Sequence, residues 1–255
     1  MPDEKTDNKN IFPEEKYGQQ YIRFIEMTVH DLQAPLRKLG VLTGLLTDKY
    51  KALKDDEADQ YIRRIHGCID NMRSLIGGFT ELAVAIPENM HYENCDPAQI
   101  IKKIVQDLTA HEKTKEAEIS IGEIPVINAD KAQLRALFTN LLENSFKFSR
   151  PGIPLKVTIN STVPTVDEKK QFPLDEKRSY CRISIEDNGI GFDPVDAATI
   201  FHPLVRLNGK SAYAGNGLGL ALVKRIIDNH QGFVYAGGSR EKGACIILII
   251  PQNHD

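Results

Sequence analysis

The chain has 255 residues, 41% hydrophobic and 26% charged, which excludes wholesale disorder and leaves room for two modest domains. Its 32 Lys and Arg against 35 Asp and Glu give a net charge of -3, so no broad basic field marks a nucleic-acid-binding protein. No apolar run approaches the roughly 18 residues of a membrane span, and the opening MPDEKTDNKN lacks the apolar stretch of a signal peptide. These features predict a cytoplasmic protein. Its four scattered cysteines (Cys68, Cys95, Cys181, Cys245) form no CxxC pair and are expected to be reduced and mostly buried.

Residues 1–20 are polar without an apolar period and read as a linker or tail. From there Ile25, Val29, Leu32, Leu36, Leu39, Thr43, Leu46 and Tyr50 recur at alternating steps of four and three, the seam of a long amphipathic helix. After the charged turn KALKDDEADQ, Ile62, Ile65, Ile69, Met72, Ile76 and Phe79 continue the pattern in a second helix ending near Pro87. Such a hairpin buries only one stripe of each helix, so residues 21–90 predict a dimeric four-helix bundle. Beyond it, in 91–255, strand-like runs at 155–159, 181–187, 232–236 and 244–250 alternate with helical segments, an α/β layer. Asp96-Pro97 and Asp130 read as helix starts, and a further helix is expected from Leu218 to about His230. The polar stretch STVPTVDEKKQFPLDEKRS (161–179) reads as a solvent loop without chemistry.

Four groups of residues carry candidate chemistry. On the first helix His30 points away from the apolar seam, beside Asp31, which is able to orient the ring or accept its proton so that a neutral nitrogen attacks phosphorus. Pro35 should loosen the turn after it. Read alone, an exposed helical histidine beside an acid is ordinary surface. In the segment 129–149, Asn140, Asn144 and Lys147 fall at i, i+4 and i+7 on one helical face; two carboxamide oxygens suit a hard cation and the lysine suits phosphate. In CRISIEDNGIGFDP a strand ends at Asp187, whose carboxylate can accept from an exocyclic amine, and Gly189 and Gly191 let the backbone approach a flat ring. Last, Gly215, Gly217 and Gly219 lead into a helix whose free amides suit a polyphosphate. Leu222 stands where a dinucleotide-binding glycine would, and no Walker A loop exists. The polar segment 205–214, with Arg206, Lys210 and Ser211, suits a lid.

These four blocks, in this order, resemble the sensor histidine kinases over nearly everything from Tyr21 to Pro251. VHDLQAPLRKL resembles the family's H box, NLLENSFKFS its N box, DNGIG and GNGLGL its two glycine boxes, and IFHPLVRLNG its F box, in wording nearest the phytochrome-like branch. The resemblance implies an α plus α/β fold: an antiparallel hairpin forming a dimeric four-helix bundle for dimerisation and histidine phosphotransfer (21–90), then a two-layer α/β sandwich of the GHKL ATPase type that binds ATP (91–255). By the same resemblance His30 is the phosphoacceptor, Asp31 its assisting acid, and Asn144 with Asn140 the holders of Mg2+. Lys147 meets phosphate, Asp187 accepts from the adenine amine, and Arg206 stabilises charge on the transferring phosphoryl. Gly189, Gly191, Lys210, Gly215, Gly217, Leu218 and Gly219 shape the pocket and lid. The implied reaction is ATP-dependent autophosphorylation and transfer to the receiver domain of a response regulator, in a homodimer controlled by an upstream sensor domain or protein.

Two alternatives stand beside this reading, a degenerate scaffold without catalysis and a GHKL-type ATPase. The His30-Asp31 pair and Arg206 argue against the first; the long hairpin and Asn140, where hydrolysing members place a glutamate, argue against the second. The chain departs from the family at Asn216, where threonine is more usual, and at Ala34, where many members carry a Thr or Asn implicated in positioning water. Weak phosphatase activity is therefore expected: phosphate should be released only slowly from the phosphorylated cognate regulator, and fast ATP-independent release would contradict this.

Overall fold

A computed structural model describes residues 32–48, 56–85, 90–111, 117–207 and 215–253. The expectations for 1–20, Ile25, Val29, His30, Asp31, Tyr50 and Lys210 lie outside the described residues. The chain divides into two compact units, Met1–Ala83 and Val84–Asp255.

In the first unit α1 (32–48) packs along α2 (Asp56–Val84). Leu36 meets Ile69, Ile76 and Phe79. One turn further along α1, the Cα of Gly40 faces the Arg73 guanidinium, so the two helices run antiparallel. The apolar seam splits into two sets. Leu36, Thr43, Ile62, Ile69 and Ile76 are buried, whereas Leu32, Leu39, Leu46, Ile65 and Met72 remain 40% to 47% exposed. A helix pair covers only the side chains pointing across its own axis, and the alternate set of a 3-4 seam points beside it. Thr43 is tolerated inside because its hydroxyl donates to the Leu39 carbonyl at 2.6 Å.

The second unit begins with a two-stranded antiparallel ribbon of β1 (Tyr92–Cys95) and β3 (Ile127–Asp130). The main sheet has the order β2-β4-β5-β7-β6, from Ala117–Ile121, Leu155–Thr162, Tyr180–Asp187, Gly243–Pro251 and Phe233–Ser239. Only β2 and β4 pair in parallel; the other neighbours are antiparallel. Its longer helices are α3 (Pro97–His111), α4 (Lys131–Lys147) and α6 (Gly219–Asn229). Asp96 caps α3 through the Gln99 amide (3.1 Å) and Asp130 caps α4 through the Gln133 amide (3.0 Å), as their sequence positions predict. The core joins Leu134, Phe138 and Leu141 of α4 and Val223 and Ile227 of α6 to Val157, Ile159, Ile183 and Leu248 of the sheet, all buried. Cys95 and Cys181 are buried thiols, Cys245 is half-buried and Cys68 exposed; all four are free. Among the described residues no helix is long and apolar enough to cross a membrane.

The expectation of a plain solvent loop at 161–179 is corrected. It contains a short helix, α5 (Val166–Gln171), opened by a capping box between Thr165 and Glu168. Asp187 of β5 reaches Ser145 of α4, so Arg182, of opposite strand parity, lies on the sheet's other face. There its Nε donates to the buried Glu168 at 2.7 Å, and the Tyr235 hydroxyl donates to the same carboxylate. Phe172 lies over Phe233 and Tyr235, with ring centroids 5.0 and 5.5 Å apart. Burial alone would raise the Glu168 carboxyl, but the bonds from Tyr235, Arg182 and Thr165 outweigh it and hold the group at about 2. Because the unfolded chain protonates Glu168 first, near 4.5, the stability it contributes is complete above that pH and is lost as pH falls toward 2. Glu168→Gln should therefore cost about 3 kcal/mol at pH 7. Acid unfolding followed by circular dichroism should show variant and wild type converging below pH 4.5.

Candidate functional site

The site is built on the α4 face turned from the core and on the C-terminal end of β5. Burial pushes the Asp187 carboxyl above its ordinary range, against three donors that favour its ionised form. Its Oδ1 accepts from the backbone amides of Gly189 (2.8 Å) and Ala244 (3.3 Å), and its Oδ2 from the Ser145 hydroxyl (3.4 Å). The following turn is stitched down on both sides. Asn188 accepts from the Lys156 amide (2.8 Å) and donates to the Pro154 carbonyl (3.0 Å), and the Ile190 amide donates to Phe148 O (3.0 Å). Gly191 has φ +63°, and a Cβ there would stand 2.0 Å from Ser239 O, so only glycine lets the β6–β7 turn lie against this loop.

The second cluster surrounds the start of α6. Its N-cap, Leu218, makes no side-chain capping bond, and the Leu218 amide is held by Asn216 Oδ1 at 3.0 Å. The first-turn amides are thereby left for an anion. Asn140 donates through Nδ2 to the Ala136 carbonyl (3.0 Å), which directs its Oδ1 toward this helix start; a Cβ on Gly219 would lie 2.6 Å from that oxygen. Lys147 Nζ would lie 2.3 Å from a Cβ on Gly215 and sits 4.6 Å from the centre of the Phe148 ring. Gly217, at φ +73°, packs on the backbone of Leu204 and Val205 and on Arg206 Cγ, and its carbonyl accepts from the Leu204 amide (2.9 Å). Burial, and next the Arg206 charge, push the Lys147 ammonium below its ordinary range. A polyphosphate placed between the two cations would reverse that cost.

The residues expected from sequence thus gather in the second unit. Asp187, Gly189 and Gly191 lie at the end of β5; Asn140, Lys147, Arg206, Gly215, Gly217, Leu218 and Gly219 lie around the start of α6. Asn144 is half-buried one turn beyond Asn140. His30, Asp31 and Lys210 are not described. Sequence reasoning missed Ser145, Arg150 and the amide of Ala244; a backbone donor has no side-chain signature, and Ser145 differs from a core residue only by its hydroxyl. The donor set suits a nucleotide: a carboxylate acceptor for an amine-bearing base, a cap-free helix start with two cations for phosphates, and carboxamide oxygen for a hard cation. Among the described residues no His, Cys, Asp and Glu cluster is placed to hold a metal unaided.

Residues 129–254 match the histidine kinase-, DNA gyrase B-, and HSP90-like ATPase family. The chain is 28% identical over 229 residues to the phytochrome-like protein Cph1 of Synechocystis, across 90% of this chain and 29% of that protein. It is 24% identical over 238 residues to the adaptive-response sensory kinase SasA of a Synechococcus strain, across 90% of this chain and 59% of that one. This chain is a relative of the sensor histidine kinases. It spans under two thirds of the length of these relatives. The fold is shared with full-length ShkA in complex with AMPPNP (TM-score 0.61, 22% identity, 91% of this chain and 46% of that one). It is also shared with histidine kinase ThkA in complex with response regulator protein TrrA (TM-score 0.60, 17% identity, 94% and 66%).

Within the second unit the closest backbone approach in the site is at Gly243, where φ is +101° and a Cβ would stand 1.8 Å from Asp187 O. Gly243→Ala should destabilise the protein by about 2–4 kcal/mol. Gly237→Ala, with nothing within 4 Å of its Cβ position, should be near neutral in the same thermal melts.

Proposed function

We propose that the chain is the kinase core of a two-component sensor, which transfers the γ-phosphoryl of ATP to His30 and then to an aspartate of a response regulator. One observation carries this reading: in a single unit, a half-buried carboxylate held as an acceptor stands with a cap-free helix start flanked by Lys147 and Arg206. The first is complementary to the amine of adenine, the second to a triphosphate. The similarity to sensory kinases, and the AMPPNP of the ShkA complex and the response regulator of the ThkA complex, support the same assignment.

In this reading Asp187 accepts from the adenine amine, the first turn of α6 and Lys147 hold phosphate oxygens, and Asn140 with Asn144 would hold Mg2+. The cation, when bound, neutralises phosphate charge. The lid segment with Lys210 closes over the phosphates. His30 attacks the γ-phosphorus through an unprotonated ring nitrogen; the bond to the bridging oxygen breaks, ADP keeps the electron pair, and the ring proton leaves to Asp31. Arg206 stabilises the charge spread over the transferring group. The exposed half of the helical seam, Leu32, Leu39, Leu46, Ile65 and Met72, supports a second copy as its cover in a four-helix bundle. Input then comes from an upstream sensor domain or protein.

The test is incubation of the purified chain and of His30→Gln with Mg2+ and γ-labelled ATP. Label that is acid-labile, alkali-stable and absent from the variant is expected. No label despite ATP binding would leave a nucleotide-holding scaffold, and phosphate release unaffected by the variant would leave an ATPase.

A further inference from the structure

Arg150 follows α4 and belongs to none of the motifs, yet its guanidinium joins the two turns that hold Asp187. Its Nε donates to the Asn188 carbonyl at 2.8 Å and its Nη1 to the Glu241 carbonyl at 2.9 Å. The Asn188 carbonyl and the Gly189 amide belong to one peptide group, and that amide is the 2.8 Å donor to Asp187 Oδ1. A cation on the oxygen of a peptide fixes its plane and strengthens its N–H as a donor, because serial hydrogen bonds polarise one another. The second arm acts on the other donor. Glu241 sits at φ +63°, in the turn that leads through Gly243 to Ala244, whose amide also reaches Oδ1 at 3.3 Å. The Glu241 amide donates to Ile190 O at 2.7 Å, so the two turns are already joined by backbone, and Arg150 closes that joint from outside.

We infer that Arg150 is a positioning residue for the base end of the nucleotide pocket, orienting the Asp187 carboxylate through the peptide that donates to it and through the turn that leads into its second donor, at the start of β7. This rests on the reading of Asp187 as the acceptor for an adenine amine. Arg150 does not touch the base. A planar fork with donors in two directions spans two carbonyls in fixed geometry, which a lysine, as a point charge, cannot do. Base recognition should therefore depend on the guanidinium, whereas phosphate recognition, around Lys147 and the start of α6, should not.

The experiment is calorimetric titration of the full chain and of Arg150→Gln and Arg150→Lys with ADP, with IDP, which carries a carbonyl in place of the amine, and with tripolyphosphate, alongside nucleotide-free thermal melts. Expected are a loss of about 10-fold in ADP affinity for Arg150→Gln, a smaller loss for Arg150→Lys, a narrower ADP-over-IDP preference in both, and unchanged tripolyphosphate binding. ADP affinity equal to wild type in Arg150→Gln, or equal losses for ADP, IDP and tripolyphosphate, would overturn the inference while leaving the nucleotide reading intact. If Arg150→Gln does not fold, Arg150→Lys decides alone: wild-type ADP affinity and preference in it would overturn the inference. A wild-type chain that binds no ADP would overturn the nucleotide reading itself and this inference with it.

Discussion

The half-buried carboxylate of Asp187 constrains the architecture of the second unit's open edge. A charged group drawn from water must be met by donors, and here two of the three are backbone amides, one from the turn after β5 and one from the start of β7. Bringing the Ala244 amide to Oδ1 forces the β6–β7 turn across the end of β5, and that approach leaves no room for a Cβ at Gly243 or Gly191. Bringing the Gly189 amide to the same oxygen bends the chain sharply after the strand, and Asn188 then fills the gap to β4 with two bonds of its own. The glycines, the asparagine and Arg150 are consequences of where one acid sits.

Helix α4 connects this edge to the rest of the unit because its two faces have unlike duties. Leu134, Phe138, Leu141 and Phe146 are buried, while Asn140, Asn144 and Lys147 stay half-buried on the face turned from the core. Its start is anchored far from the site. The Asp130 amide donates to His230 Nε2 at 3.0 Å, and Nδ1 of the same ring donates to the Ile226 carbonyl at 2.8 Å, which requires the neutral imidazole. Burial pushes this histidine below its ordinary range. Its unfolded form therefore binds a proton first as pH falls below about 6.5, so the ring adds stability above that range and loses it on acidification. The asparagines are presented from a helix fixed at its far end.

Long periodic elements and side-chain motifs were legible in the sequence: the 4-3 seam, the capped helices α3 and α4, the strands β4 to β7, and the placement of Asp187 and the glycines. What was not legible depends on partners distant in the chain. The seam's spacing marks apolar positions but does not say which half pairs within the hairpin, since both halves carry the same residue types. Strands β1, β2 and β3 are four or five residues long, too short for alternation to stand out. The stretch 161–179 is polar by composition, yet Glu168 is buried because Arg182 and Tyr235 wait for it on the sheet. Arg150 had no signal at all, because both its partners are carbonyl oxygens.

The two ends of the proposed nucleotide pocket are held by different physics. At Asp187 recognition rests on a carboxylate held by backbone amides and on closely packed backbone, interactions that salt screens little when partly buried. At the start of α6 it rests on Lys147, the more exposed Arg206 and a helix terminus, whose attraction for phosphate falls with ionic strength. Identity of the base is thus assigned to the rigid end. Sensitivity to charge, and to whether a γ-phosphoryl is present, is assigned to the end whose cations repel one another until an anion separates them. The proposed kinase core would gain from that division: the base would fix where the nucleotide lies, and the arrival or departure of one phosphoryl would change the electrostatics of the other end alone.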